Sequence, residues 1–272
     1  MSEEKDLQKK AHDFLVQTSR TFVIPISQLP SGLQETVGAA YLCMRAIDEI
    51  EDHPLLPAEI KSKLLKEISK LLRNGYNREE LLKILLPYEA SLPDVTLFLN
   101  DWIAICPETV VDKVLDATAE MAEGMAKWVE LDWQIQNEED LNEYTYYVAG
   151  LVGTMLSDLW NWHDGTETDK ELAIAFGRGL QTVNILRNKA EDAERGVNFF
   201  PEGWEFEDML QYTEQNLQRA NLYLADIQTT SIRHFCEIPL AFAHATVSAL
   251  KDGKEKINRK TVTDIVTKIV GS

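Results

Sequence analysis

The sequence predicts an all-α fold. Apolar residues recur at helical spacing along nearly the whole chain, and the alternating β-branched runs that are typical of strands are nearly absent. Apolar residues make up 44% of the 272 residues, which is ample for a sizeable core. Because nothing repeats and no low-complexity linker divides the chain, we expect residues 1–272 to form a single domain.

Prolines, glycines and capping residues place the helix boundaries. Pro30 separates a first helix at 4–18 from a second, for which Ser31 is the predicted N-cap and His53-Pro54 the stop. The same reasoning predicts further helices at 58–74, 78–86, 94–105, 108–133, from 141 onward, 172–195, 205–228, 238–251 and 258–270.

Charge limits the classes of ligand. The chain has 27 basic and 45 acidic residues and a net charge of −18. This balance disfavours nucleic acid, whose binding needs basic surface. A phosphorylated ligand would therefore need a few well-placed Arg or Lys side chains, or a bridging metal ion. The three cysteines form no CxxC pair, so free thiols in a reducing cytoplasm are expected.

A membrane-spanning role is not expected. The N-terminal residues are charged and lack the apolar region of a signal peptide, and no uncharged apolar run approaches the ~20 residues that a membrane span needs. The basic residues of 61–73 fit the solvated outer face of a bundle better than a membrane-surface helix. We therefore expect a cytoplasmic protein that is peripheral to a membrane at most.

A polar stripe runs along the second predicted helix. Tyr41, Arg45, Asp48 and Asp52 follow one another at intervals of 4, 3 and 4 residues, which places them on one face. Apolar residues fill most of the remaining circumference, as in a helix buried inside a bundle. Two aspartates one turn apart suit a hard cation such as Mg²⁺ that is shared with a phosphorylated substrate. The alternative is an ordinary solvated face.

A second polar stripe lies in the helix predicted at 172–195. Gln181, Asn184, Asn188 and Asp192 are spaced 3, 4 and 4 residues apart, and the other faces of this helix are again apolar. We expect the two stripes to face each other across a cavity.

Small residues thin one face of the helix that begins near 141. Ala149, Gly150 and Gly153 lie close together there. Tight contact with another helix is the first interpretation, and the wall of a cavity for a long apolar ligand is the alternative.

The sequence resembles the squalene/phytoene synthase family of head-to-head prenyl synthases, over roughly residues 18 to 260. The resemblance implies an isoprenoid-synthase-type helical bundle around a central apolar cavity, with Mg²⁺ as cofactor and farnesyl diphosphate or a similar prenyl diphosphate as substrate. A late block at 234–239 is more like squalene synthases than phytoene synthases. The other blocks that carry the resemblance lie at 19–22, 41–52 with its DxxED pattern, 144–153, and 179–192 continuing to 199–201.

The family's motifs imply three groups of site residues. The metal ligands would be Asp48, Asp52 and Asp192. The catalytic group would be Tyr41, Arg45, Asp48, Asp52 and Arg187. The substrate-binding group would be Ser19, Arg20, Phe22, Tyr144, Gln181, Asn184 and Asn188.

Two departures from the family pattern fall in the second half of the site. Asn188 stands where the family has the first Asp of its second motif, and Val197 stands where an Arg usually precedes the aromatic-Pro pair, with Arg195 two residues earlier. An amide in place of a carboxylate removes a negative charge from a site for a hard cation. Loss of a phosphate donor would also weaken the placement of a second substrate, which condensation requires.

These departures predict that C–O cleavage survives while C–C joining is weakened. Water would then quench the cation, and farnesyl diphosphate would be hydrolysed to farnesol and diphosphate. The alternative is condensation of two farnesyl diphosphates to presqualene diphosphate and then squalene or dehydrosqualene. A third interpretation, a prenyl-lipid binding or scaffold protein, is disfavoured by the complete first acidic motif. Because the prenyl chain of the substrate is apolar, we expect transient contact with a bilayer for either enzymatic reaction.

Overall fold

The computed structural model describes residues 2–19, 21–194, 196–254 and 256–271. Helices account for the regular structure of these residues and no strand occurs among them, so the all-α prediction is confirmed. The helices group into two compact units, Met1–Asp132 and Trp133–Ser272. The single-domain organisation stays a prediction.

The first unit is organised around one buried helix, α3. This helix packs against α1, α2, α4, α6, α7 and α8 and is buried around most of its circumference, as its sequence predicts. The helices of this unit are α1 (Ser2–Thr18), α2 (Val23–Ile26), α3 (Leu33–Glu51), α4 (Ala58–Arg73), α5 (Arg78–Leu85), α6 (Asp94–Leu97), α7 (Leu99–Ile105) and α8 (Val111–Glu130).

The start of α3 differs from its prediction. Gly32, not Ser31, is the N-cap residue, and its φ of +88° is a conformation that glycine adopts without steric cost. The Glu35 carboxylate accepts a hydrogen bond from the Gly32 N–H and a second from the Ser31 hydroxyl. The prediction that Ser31 caps the helix was wrong because Ser31 contacts this side chain and not a free N–H of the first turn.

The basic face of α4 is paired with acidic residues. Lys66 pairs with Glu130 and Arg73 with Glu123, both on α8. The exposure of Lys66 and Arg73 agrees with the predicted solvated outer face, whereas the prediction was wrong for Lys61, which is buried. No helix in the described part of the chain is both long and apolar enough to cross a bilayer.

The second unit is organised around α11, which packs against α9, α10, α12, α13 and the short π-helical turn Tyr146–Gly150. The helices of this unit are α9 (Glu138–Thr145), α10 (Leu151–Asp164), α11 (Lys170–Glu194), α12 (Phe206–Tyr223), α13 (Thr230–Lys251) and α14 (Arg259–Val270). Cys43, Cys106 and Cys236 are buried free thiols, as predicted from their number and spacing.

Glycines let α11 approach its neighbours closely. A Cβ added at Gly153 would lie 2.1 Å from the carbonyl oxygen of Ala173, and one added at Gly177 would lie 2.1 Å from that of Ala149. Because both carbonyl oxygens belong to the helix backbone, they have little room to move. The interpretation of this small-residue face as tight helix contact is confirmed.

Substitution Gly177→Ala is expected to destabilise the protein by about 1–3 kcal/mol, the usual cost of forcing extra volume into a packed interior. Thermal unfolding followed by circular dichroism measures the change. Gly38→Ala in α3 is the matched control, because its Cβ would meet Leu15 at an ordinary 3.7 Å. The control should unfold at the wild-type temperature or higher, since Ala favours helix over Gly. Equal behaviour of the two variants would contradict the close-packing argument.

Candidate functional site

Three carboxylates meet at the C-terminal end of α3. Ligand oxygens of Asp48, Glu51 and Asp52 lie within 4.8 Å of one another. Asp52 is the C-cap residue, and its N–H donates to the Asp48 carbonyl at 2.8 Å. Glu51 is 5% exposed, whereas the side chain of Asp48 is 32% exposed. The cluster therefore extends from the interior to the surface.

Glu51 was missed as a site residue by the sequence reasoning. It lies three residues after Asp48, and the DxxED pattern contains it. Residues three apart are neighbours on a helix surface, so this spacing was the available signal.

Arg45 contributes positive charge beside the acidic cluster. One terminal nitrogen of its guanidinium donates to Asp48 and the other donates to Glu49. Its Nε atom is buried and has no hydrogen-bond partner. A buried donor without a partner is costly.

The pKa of Asp48 is raised from its ordinary 3.8 to about 7. Burial is the largest cause; Arg45 lowers the pKa, while the neighbouring charges of Asp52 and Glu49 raise it further. Like charges that disfavour ionisation are relieved when a cation binds between them. Carboxylate oxygens are also the donors that Mg²⁺ prefers. The three residues of the cluster therefore fit this ion.

Tyr41 lies on α3 four residues before Arg45, on the side away from the three carboxylates. The Tyr41 hydroxyl donates to the Thr18 carbonyl at 3.0 Å, and its ring stacks on Phe22 with centroids 6.2 Å apart. Burial raises the pKa of Tyr41. The Ser19 hydroxyl is buried and has no hydrogen-bond partner. Ser19 thus carries a buried donor without a partner, next in sequence to the residue whose carbonyl Tyr41 binds.

The predicted second stripe occupies one face of α11. Gln181, Asn184, Asn188 and Asp192 are all half-buried, while the residues between them include Val183, Ile185 and Leu186, which are buried. Nε of Arg187 donates to the side-chain oxygen of Asn188 at 3.1 Å. That this stripe faces the carboxylates of α3 stays a prediction.

Tyr144 is buried and stacks on Phe199, with ring centroids 4.9 Å apart. Val197 donates its backbone N–H to the carbonyl of Asp192 at 3.0 Å, so this departure lies directly beside the end of the stripe. Arg20 and Arg195 lie outside the described residues. The predicted roles of all these residues stay predictions.

The fold and the cluster together define an all-helical protein with a candidate divalent-cation site. The family profile of squalene/phytoene synthases matches residues 15–205 of the chain. The chain belongs to the squalene/phytoene synthase family.

Individual relatives agree with this assignment. The chain is 28% identical over 281 residues to a squalene synthase of Schizosaccharomyces pombe, with 89% of this chain and 59% of that protein covered. It is 29% identical over 278 residues to a squalene synthase of Mus musculus, with 91% and 64% covered. The chain thus spans about 60% of the length of these curated relatives.

A solved structure, that of TcSQS in complex with the ligand BPH1237, superposes with a TM-score of 0.79. The superposition covers 97% of this chain and 86% of the TcSQS chain, and the two sequences are 23% identical. This likeness shows a shared fold and confirms the predicted isoprenoid-synthase-type bundle.

The raised pKa of Asp48 predicts how stability depends on pH. Between the ordinary pKa and about 7, the folded protein holds a proton that the unfolded chain has lost, so the free energy of unfolding falls as pH rises. Asp48→Asn carries no charge and loses this dependence. In metal-free buffer the variant should be more stable than wild type at about pH 8, by a margin that shrinks towards about pH 5.

Thermal unfolding in EDTA across this range measures the difference. Asp264→Asn, at an exposed carboxylate on α14, is the control and should track wild type. An Asp48→Asn protein that is less stable than wild type at every pH would show that the pair with Arg45 outweighs the cost of burial.

The Ser19 hydroxyl has no hydrogen-bond partner, so we predict that its removal weakens ligand binding without lowering stability. Ser19→Ala should keep or slightly raise the unfolding temperature, because no hydrogen bond is lost. It should weaken binding of inorganic diphosphate with Mg²⁺ by about 10-fold, the value of one hydrogen bond to a charged group. Isothermal titration measures the affinity.

Ser62→Ala is the matched control for this substitution. The Ser62 hydroxyl is also buried but donates to Glu130 at 2.6 Å. Its removal should lower stability by about 1–2 kcal/mol and leave diphosphate binding unchanged. A Ser19→Ala protein that behaves like this control would contradict the assignment of Ser19 to the binding site.

Proposed function

We propose that the chain is a Mg²⁺-dependent prenyl synthase that joins two farnesyl diphosphates head to head, through presqualene diphosphate, with release of both diphosphates. The product is dehydrosqualene when the final cation loses a proton, and squalene when NADPH supplies a hydride. The observation that carries the proposal is the cluster of Asp48, Glu51 and Asp52 beside Arg45, in a member of this family. The relatives are squalene synthases, which favours condensation over the hydrolysis expected from Asn188 and Val197.

The first unit supplies groups for ionising an allylic diphosphate. Asp48, Glu51 and Asp52 would hold the metal, which when bound supplies Lewis-acid polarisation of the leaving diphosphate. The guanidinium of Arg45, and its unpartnered Nε in particular, would meet the negative charge that grows on the diphosphate oxygens. Ser19 would donate its buried hydroxyl to the same group.

Stacked aromatic side chains would stabilise the prenyl cation and shield it from water. The stacked rings of Phe22 and Tyr41 in the first unit, and those of Tyr144 and Phe199 in the second, offer faces that stabilise positive charge. Such faces also exclude water, which condensation requires and hydrolysis does not. We therefore assign these residues to the prenyl chains, as the family resemblance implies.

The departures in the second unit do not remove this machinery. Asn188 retains a carbonyl oxygen, which is an acceptable ligand for a hard cation, although in this structure the oxygen accepts a hydrogen bond from Arg187. Hydrolysis to farnesol remains the alternative reaction, and it rests on the missing negative charge at this one position. A binding protein without turnover has no use for three clustered carboxylates, so we place it third.

The proposed cellular location rests on the buried thiols and on the apolar chain of the substrate. Three buried free cysteines agree with a reducing cytoplasm. A farnesyl chain partitions into bilayers, so we propose transient peripheral contact with a membrane during substrate uptake. The net charge of −18 argues against strong attachment to anionic lipid.

Incubation with farnesyl diphosphate and Mg²⁺, without and with NADPH, tests the reaction. We expect presqualene diphosphate, squalene or dehydrosqualene as the main product, resolved by chromatography and mass spectrometry. Asp48→Ala should lower product formation by about 100-fold or more, because a ligand of the cation is lost. Asp264→Ala, on the exposed face of α14, should retain wild-type turnover.

Farnesol as the main product would reject condensation in favour of hydrolysis. In that case Asn188→Asp is the informative variant, since restoring the carboxylate should shift the product from farnesol towards the coupled C–C product. Substrate binding with no Mg²⁺-dependent product of either kind would favour the non-catalytic interpretation.

A further inference from the structure

Lys61 is a buried lysine on α4. It is 7% exposed and Glu51 is 5% exposed, and no other charged residue in the described part of the chain is buried as deeply. Removal of an ammonium group from water is costly unless it is paired and hydrogen-bonded. A lysine at this position therefore needs a specific reason, and neither the sequence motifs nor the proposed reaction supplies one.

The ammonium group binds the backbone of the acidic turn. Nζ of Lys61 donates to the carbonyl oxygen of Glu51 at 2.7 Å. Glu51 is the last residue of α3, so its carbonyl is one of the four that lack a partner within the helix. A cation at a helix C-terminus is also stabilised by the helix dipole. Lys61 thus caps α3 from the neighbouring helix.

The capped turn is the one that displays the carboxylates. Asp48, Glu51 and Asp52 repel one another when no cation lies between them, and the last turn of a helix is the part that frays most readily. Arg45 restrains the cluster through the side chain of Asp48, whereas Lys61 restrains it through the main chain. Arg45 contacts the first of the three carboxylates and Lys61 contacts the last residue of the helix, so the two contacts hold the turn at both of its ends.

We propose that Lys61 is a positioning residue for the divalent cation: it fixes the C-terminal turn of α3 so that the three carboxylates present oxygens to one ion. The inference rests on the proposed function in that it takes the cluster as the cation site. It goes beyond that function by assigning the geometry of the site to a residue that is not itself a ligand. Groups that orient metal ligands in this way typically contribute 10- to 100-fold in affinity, as a rough range.

Binding of Mn²⁺ in the presence of inorganic diphosphate, followed by electron paramagnetic resonance, tests the proposal without turnover. Lys61→Met should weaken Mn²⁺ binding by about 10-fold or more. Lys61→Arg, which keeps both donor and charge, should recover most of the wild-type affinity. Lys66→Met is the matched control on the same helix, since its side chain is 52% exposed and pairs with Glu130, and it should bind Mn²⁺ as wild type does.

A purely structural role predicts a different result. Lys61→Met that unfolds at lower temperature but binds Mn²⁺ with wild-type or higher affinity would overturn the proposal. Should Lys61→Met fail to fold, Lys61→Gln gives the same measurement, because it shortens the side chain and removes its charge. Weaker Mn²⁺ binding by that variant supports the positioning role, and unchanged binding overturns it.

The outcomes also separate this inference from the proposed reaction. A wild-type protein that binds Mn²⁺ but forms no C–C product would reject the proposed function and leave the role of Lys61 to be decided by its own variants. A wild-type protein that binds no Mn²⁺, with or without diphosphate, would overturn both.

Discussion

Crowding of carboxylates at the C-terminal end of α3 is the constraint on which the first unit depends. Negative charge is least favourable at this end of a helix, and Asp48, Glu51 and Asp52 place three such charges there. Burial is the largest cause of the raised pKa of Asp48, and the neighbouring charges of Asp52 and Glu49 raise it further. Arg45 offsets part of this cost from within the helix, and Lys61 offsets another part from α4. A bound cation would offset the rest, so the arrangement is better suited to a ligand than to stability alone.

In the second unit, the main structural feature is the close packing of α11, a helix that carries a polar stripe on one face and buried apolar residues on the others. Gly153 and Gly177 allow backbone contact at distances that no Cβ permits, and α11 is thereby fixed against α10 and the π-helical turn. Its half-buried amides and Asp192 then share one face. Backbone contact of this kind fixes the position of the stripe within the second unit.

Family membership and reaction rest on different kinds of observation. The family follows from a match over residues 15–205, and the fold from the likeness to a solved structure. The proposed product depends on how well a prenyl cation would be shielded from water, which no motif specifies. The first unit keeps its three clustered carboxylates, Arg45 and the stacked rings of Phe22 and Tyr41 whatever residue stands at position 188. Condensation is therefore the stronger proposal, although the sequence departures alone had favoured hydrolysis.

The sequence by itself determined most of the helices, both polar stripes and the small-residue face, because helical periodicity is a local property that spacing reveals. Two predicted helices differ from the structure: the one at 238–251 begins at Thr230, and the one at 94–105 is divided into α6 and α7. It also determined the family, through motifs in the right order. Only the tertiary structure decided that Lys61 reaches the end of α3, that Ser19 and Arg45 keep buried donors without partners, and that Arg187 holds Asn188. It likewise corrected the N-cap of α3 from Ser31 to Gly32. These features depend on side-chain directions or on contacts between distant segments, and spacing along the chain carries no information about either.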